Sequence, residues 1–100
     1  MVINWTKSAI NDLKDFIKIS MKSKPLDYIK NLISSTKILE SNPYAGKIYT
    51  YTNKYIVWQF IYKEHRIFYY IDNDIISIII VVHHKQNIKE KIEYIKKSLK

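Results

Sequence analysis

Four side chains clustered in two short stretches carry most of the chemistry legible in this chain: His65-Arg66 in Lys63-Glu64-His65-Arg66-Ile67-Phe68-Tyr69-Tyr70, and His83-His84 in Val81-Val82-His83-His84-Lys85-Gln86. Arg66 is the lone arginine beside sixteen lysines. In a composition so rich in Ile, Lys and Asn, lysine serves wherever a point charge is enough, so a retained arginine marks a place that needs a planar fork of donors. Such a fork binds phosphate or carboxylate. The competing reading is a structural ion pair with Glu64 or Asp72. Imidazoles titrate near neutrality and can give or take a proton beside such a cation.

The elements that must hold these groups follow from periodicity. Val2 to Trp5 reads as a first strand. Thr6 offers an N-cap, and Ala9, Ile10, Leu13, Phe16, Ile17 and Met21 recur at helical spacing, with Lys7, Asp12, Asp15 and Lys18 opposite, predicting a helix to about Met21. Pro25 suits a first helical turn. A second helix follows with Ile29, Leu32, Ile33, Thr36 and Leu39 inward, stopping before Asn42-Pro43 and completing a helical hairpin over about 6–41. After Gly46 the pattern turns to aromatic and β-branched runs: Lys47 to Thr52 as a strand or extended loop, then strands Tyr55 to Tyr62, His65 to Ile71 and Ile75 to His83. Asn87 caps a last helix to about residue 99 with Ile88, Ile92, Ile95 and Leu99 on one stripe. The fold class expected is α+β, a helical hairpin packed on a small antiparallel sheet.

The last strand is apolar on both sides, with Ile75, Ile79 and Val81 on one face and Ile76, Ile78, Ile80 and Val82 on the other by simple alternation. Both faces must be covered. The hairpin can cover one; the final helix, a second copy or a partner must cover the other.

One hundred residues, nearly half apolar, suit one domain spanning 1–100. The chain has no cysteine, which excludes disulfides and thiolate metal sites, and its three histidines lack metal-ligand spacing. No metal or other cofactor is expected. No apolar run is long enough to span a bilayer, so a soluble, cytoplasmic protein without a membrane partner is expected. The net charge of +8 points to a polyanionic partner. It is concentrated at the end: residues 85–100 hold six lysines against Glu90 and Glu93, although a lysine run is also an ordinary solvated face.

The order strand, helix, helix, three strands, together with Asn42-Pro43-x-x-Gly46, Glu64-His65-Arg66-Ile67-Phe68-Tyr69 and Ile80 to Asn87, resembles the RelE/ParE superfamily of bacterial toxins over nearly the whole chain. The resemblance implies a toxin of a type II toxin–antitoxin module, with a cognate antitoxin as partner and one of two targets: ribosome-bound mRNA or DNA gyrase. The fold alone does not choose. On the mRNA branch, which ranks first, Arg66 matches the arginine that contacts the scissile phosphate, and His84, eighteen residues on, matches the catalytic histidine of YoeB-like members. Cleavage there is metal-independent: the ribose 2′-hydroxyl attacks the adjacent phosphate, which calls for a base, a cation and an acid. Lys47, Lys54 and Lys85 could add positive charge for nucleic acid, and Tyr49 or Tyr51 could stack on a base.

Several nuclease groups are missing. The lysine pair of RelE-type members falls near Val57 and Gln59, a later arginine near Gln86, and the acidic residue of YoeB-like members has no match between Gly46 and Tyr55. A ParE-like gyrase inhibitor without nuclease activity is therefore the alternative, and a plain basic nucleic-acid-binding domain the third reading. The antitoxin is expected to lay a helix or strand over the apolar face beside the last strand.

Turn geometry decides which histidine accompanies Arg66. Pairing Ile71 with Ile75 puts Arg66 on the face of Val82 and His84, whereas pairing Asp72 with Ile75 makes His83 the neighbour. Family spacing favours His84. His65, at a turn between charged residues, reads as a surface side chain.

Overall fold

The computed structural model describes residues 1–99. Strand β1 (Val2–Trp5) leads into α1 (Lys7–Ile19), α2 (Pro25–Ser35) and a single turn, α3 (Ile38–Ser41). Four strands follow, β2 (Lys47–Tyr51), β3 (Ile56–Tyr62), β4 (His65–Asp72) and β5 (Ile75–His83), and α4 (Ile88–Ser98) closes the chain. The five strands form one sheet in the order β1-β5-β4-β3-β2. It is mixed rather than antiparallel, because β1 runs parallel to β5 while the other pairs are antiparallel. The helices carry the chain from β1 across to β2 at the opposite edge, and the antiparallel run β2–β3–β4–β5 brings it back beside β1, a connection long enough for the parallel pair.

The capping signals act as read. The Thr6 hydroxyl accepts from Ala9 N–H, Pro25 occupies the first turn of α2, and Asn87 accepts from Lys89 N–H. Two helical readings need correction. The second helix breaks at Thr36-Lys37, where the Thr36 hydroxyl bonds back to the Ile33 carbonyl and offers the backbone a turn instead. Met21 lies beyond the end of α1 and is fully exposed, and Ile10 and Ile33 sit at the margins of the buried stripes.

Two cores flank the sheet. On one side α1 and α2 set Ala9, Leu13, Ile29 and Leu32 against Ile67, Tyr69, Ile76, Ile78 and Val81. On the other, Ile95 and Leu99 at the end of α4 pack on Val57, Phe68, Ile79, Ile80 and Val82. So the chain's own last helix lies on the second face of β5.

The faces of β5 differ from simple alternation. The hairpin starts with Asp72 opposite Ile75 and holds that register to Tyr69 opposite Ile78, then skips Ile79 so that Phe68 faces Ile80 and Arg66 faces Val82. This β-bulge carries an extra residue on one strand and reverses the parity beyond it. It puts Ile79 and Ile80 on the same side, and moves Val81 to the side of Ile76 and Ile78. Helix α1 is stitched to the bulge. Thr6 Oγ1 donates to the Ile78 carbonyl at 2.8 Å, and Asp12 Oδ2 accepts from Val81 N–H at 2.9 Å, where β1 has already ended.

Candidate functional site

Strand alternation sends His65 to the hairpin side and Arg66 to the α4 side. Contacts agree: the His65 ring meets Phe16 of α1 edge-on at 4.7 Å, while Phe68, two residues beyond Arg66, belongs to the α4 core. The bulge gives His83 the parity of His65, its direct cross-strand partner, with ring centroids 5.1 Å apart.

His65 is buried, not a surface side chain. Its neighbours in sequence are charged, but the strand turns its ring inward beneath Phe16 and Tyr28. The Tyr28 hydroxyl lies 2.8 Å from Nδ1. Burial, and then the proximity of His83, lowers the His65 pKa to about 4, and burial also raises that of Tyr28. Near neutral pH the tyrosine therefore keeps its proton and donates it to a neutral imidazole, which holds its own hydrogen on Nε2.

His83 is fixed in the same way. Lys85 N–H donates to Nδ1 at 3.2 Å, so the ring hydrogen sits on Nε2, facing Glu64 Oε2 at 3.4 Å. That contact first, and the Lys22 ammonium at 3.5 Å as well, hold the Glu64 carboxyl below its ordinary range. His84 follows the strand end: its N–H donates to the Glu64 carbonyl at 2.8 Å and its Nδ1 lies 3.2 Å from the same oxygen. Its ring lies against that of His83, 4.4 Å between centroids. A cleft of about 520 Å³ opens beside this cluster, between α1 and the β5–α4 connection, with Phe16, Val81, His83, Lys85 and Lys91 among its walls.

On the α4 side Arg66 is half-buried between Ile61 of β3 and Val82 of β5. Among the described residues it makes no salt bridge and no side-chain hydrogen bond. The structural ion pair is excluded for both named acids: Glu64 serves Lys22 and His83, and Asp72 accepts from the Tyr55 hydroxyl. Lys47 opens β2 opposite Gln59, whose Oε1 is buried without a partner. Tyr49 packs edge-on against Phe68 at 5.0 Å, which makes it part of the second core.

The groups singled out in the sequence are thus divided. Arg66, Lys47 and Tyr49 belong to the α4 face; His83 and Lys85 line the cleft on the hairpin side; Lys54 stands in the β2–β3 turn. His84 is two residues beyond Val82, the partner of Arg66, but its ring contact is with His83. Sequence reasoning missed Tyr28, Glu64, His65 and Asp12 as polar anchors. Only the Glu64-His65 pair carried a signal, since an ionisable pair at a strand start can face the sheet as readily as the solvent.

The strand–hairpin–sheet–helix order agrees with a further finding: residues 3–88 match the ParE toxin of type II toxin–antitoxin system, parDE. The chain belongs to the ParE toxin family. That membership makes it a toxin of a type II module, in the RelE/ParE superfamily, and implies an antitoxin as its partner. No curated protein matches the chain. Within this ParE-family toxin no described helix is long and apolar enough to cross a membrane.

Proposed function

We propose that this toxin arrests growth by binding DNA gyrase, without cutting RNA itself. The observation that carries the reading is the distribution of possible acids and bases. His65 is locked to Tyr28 and His83 to Glu64 and Lys85 N–H, both on the opposite face from Arg66, and the His84 ring lies on His83. A 2′-hydroxyl attack needs a base within hydrogen-bond reach of the proton it removes, next to the cation that holds the phosphate. Arg66 has a fork of donors but no such companion. A fork without a base suits recognition of carboxylate or phosphate groups on a partner surface.

One observation favours the mRNA reading: Arg66 is free of any internal carboxylate, and the register brings the backbone of His84 to its side of the sheet. Catalytic contacts can tighten only when substrate binds. Purified toxin separates the two. Gyrase supercoiling should be inhibited at near-stoichiometric toxin while mRNA on translating ribosomes stays whole; cleavage of that mRNA with supercoiling untouched overturns the proposal.

A further inference from the structure

Far from the imidazoles, at the β2–β3 end of the sheet, a chain of touching aromatic rings runs from the core to the surface. Tyr69 is fully buried, and its hydroxyl donates to the Pro43 carbonyl at 2.8 Å while accepting from Gly46 N–H at 3.2 Å. Trp58 lies nearly parallel to it, 18° between planes and 6.4 Å between centroids. Tyr44 continues outward, 5.4 Å from Trp58 and tilted by 54°, and is 62% exposed. Two hydrogen bonds on the loop before β2 thus hold the outermost ring where water reaches it.

These rings edge a hollow of about 290 Å³ lined by Tyr44, Lys54, Tyr55, Ile56, Trp58 and Ile71. No carboxylate lines it. The nearest carboxylate in sequence, Asp72 beside Ile71, accepts from the Tyr55 hydroxyl at 3.2 Å. Lys54 is exposed in the turn and forms no salt bridge among the described residues. The hollow is therefore lined by three aromatic side chains and by one lysine that makes no salt bridge among the described residues, in a chain of net charge +8.

We infer that this hollow binds an unpaired base of a single-stranded nucleic acid, with the base against the Tyr44 and Trp58 rings and its phosphate on Lys54. The chemistry is that of sequence-tolerant strand binding, in which aromatic rings supply stacking and lysines follow the backbone. A purely apolar peptide would leave the ammonium without a counter-charge, and double-stranded nucleic acid keeps its bases inside the helix, out of reach of the rings. The site goes beyond the gyrase reading and does not depend on it, since neither Arg66 nor any histidine takes part.

Trp58 supplies its own reporter. In a Trp5→Phe background, short oligo-dT and oligo-U are titrated into the toxin and indole fluorescence is followed. Saturable quenching by either is expected, and the tighter of the two identifies DNA or RNA as the source. Tyr44→Ala and Lys54→Ala should each weaken the quenching about tenfold, whereas Lys18→Ala, an equal loss of charge on the exposed side of α1, should leave it within about twofold. A thermal melt of each variant confirms that it is folded. Absence of quenching, equal weakening by Lys18→Ala and Lys54→Ala, or shielding of Trp58 by the antitoxin but not by oligonucleotides would overturn the inference.

Discussion

On the hairpin side of the sheet, Tyr28, His65, His83, Glu64 and Lys22 answer one another's hydrogen bonds and charges; on the α4 side, the Arg66 guanidinium and the Gln59 Oε1 have no partner among the described residues. The two sides lie one residue apart along β4. The buried His65 and its Tyr28 donor, packed under α1 and α2, contribute to stability, because leaving that imidazole nitrogen unmet would cost its desolvation, while the exposed Glu64–Lys22 pair adds little. A cation left unmet on a half-buried face contributes little to the fold and is available to an outside partner. Titratable residues in a cleft are the usual candidates for a site, and here the better-filled cluster is the structural one.

The largest expected effect belongs to the hairpin side and to pH. The folded pKa of His65, about 4, lies below its ordinary 6.5, so the unfolded chain takes up the proton first as pH falls. Stability is complete above about pH 6.5 and drops towards pH 4 by up to about 1.4 kcal/mol per pH unit. Urea unfolding between pH 7 and 5 measures this. Arg66→Ala should show the same slope; a flat profile in the parent chain would mean that His65 is not held neutral.

Next comes the latch at the loop before β2, where the buried Tyr69 hydroxyl holds the Pro43–Gly46 backbone. A Cβ at Gly46 would stand 2.4 Å from the Gln59 carbonyl oxygen and 2.7 Å from the Tyr69 hydroxyl. Gly46→Ala should therefore destabilise by about 1–3 kcal/mol as backbone or ring is displaced, seen as a lowered midpoint in thermal unfolding. Tyr28→Phe should cost about 1 kcal/mol by leaving His65 Nδ1 without its donor. Arg66→Ala, on the other side, should change stability by no more than about 0.5 kcal/mol while abolishing growth arrest. A large loss of stability in that variant would erase the contrast.

The sequence disclosed the elements more fully than the faces. Caps at Thr6 and Asn87, Pro25 and the two turns in the sheet placed the strands within a residue or two, since each signal is local chemistry. The bulge had no such signal: Ile78 to Val82 is apolar at every position, so no polar residue marks which side is which, and the skip at Ile79 is set by Thr6 and Asp12 reaching across from α1. That single long-range detail moved His83 to the side opposite Arg66. His65 was misread for a related reason, because the charges of Glu64 and Arg66 conceal the parity of the residue between them. The parallel docking of β1 on β5 is likewise a pairing of the first strand with the last, which periodicity does not encode.

The division between a structural imidazole cluster and a recognising guanidinium is tested most directly by His84→Ala beside Arg66→Ala, both expressed in bacteria without antitoxin. His84 is exposed, so its loss should leave the fold intact. The expected result is full growth arrest from His84→Ala and none from Arg66→Ala. Loss of arrest in a folded His84→Ala toxin, with cellular mRNA cut by the parent toxin but not by that variant, would contradict the account and restore the nuclease.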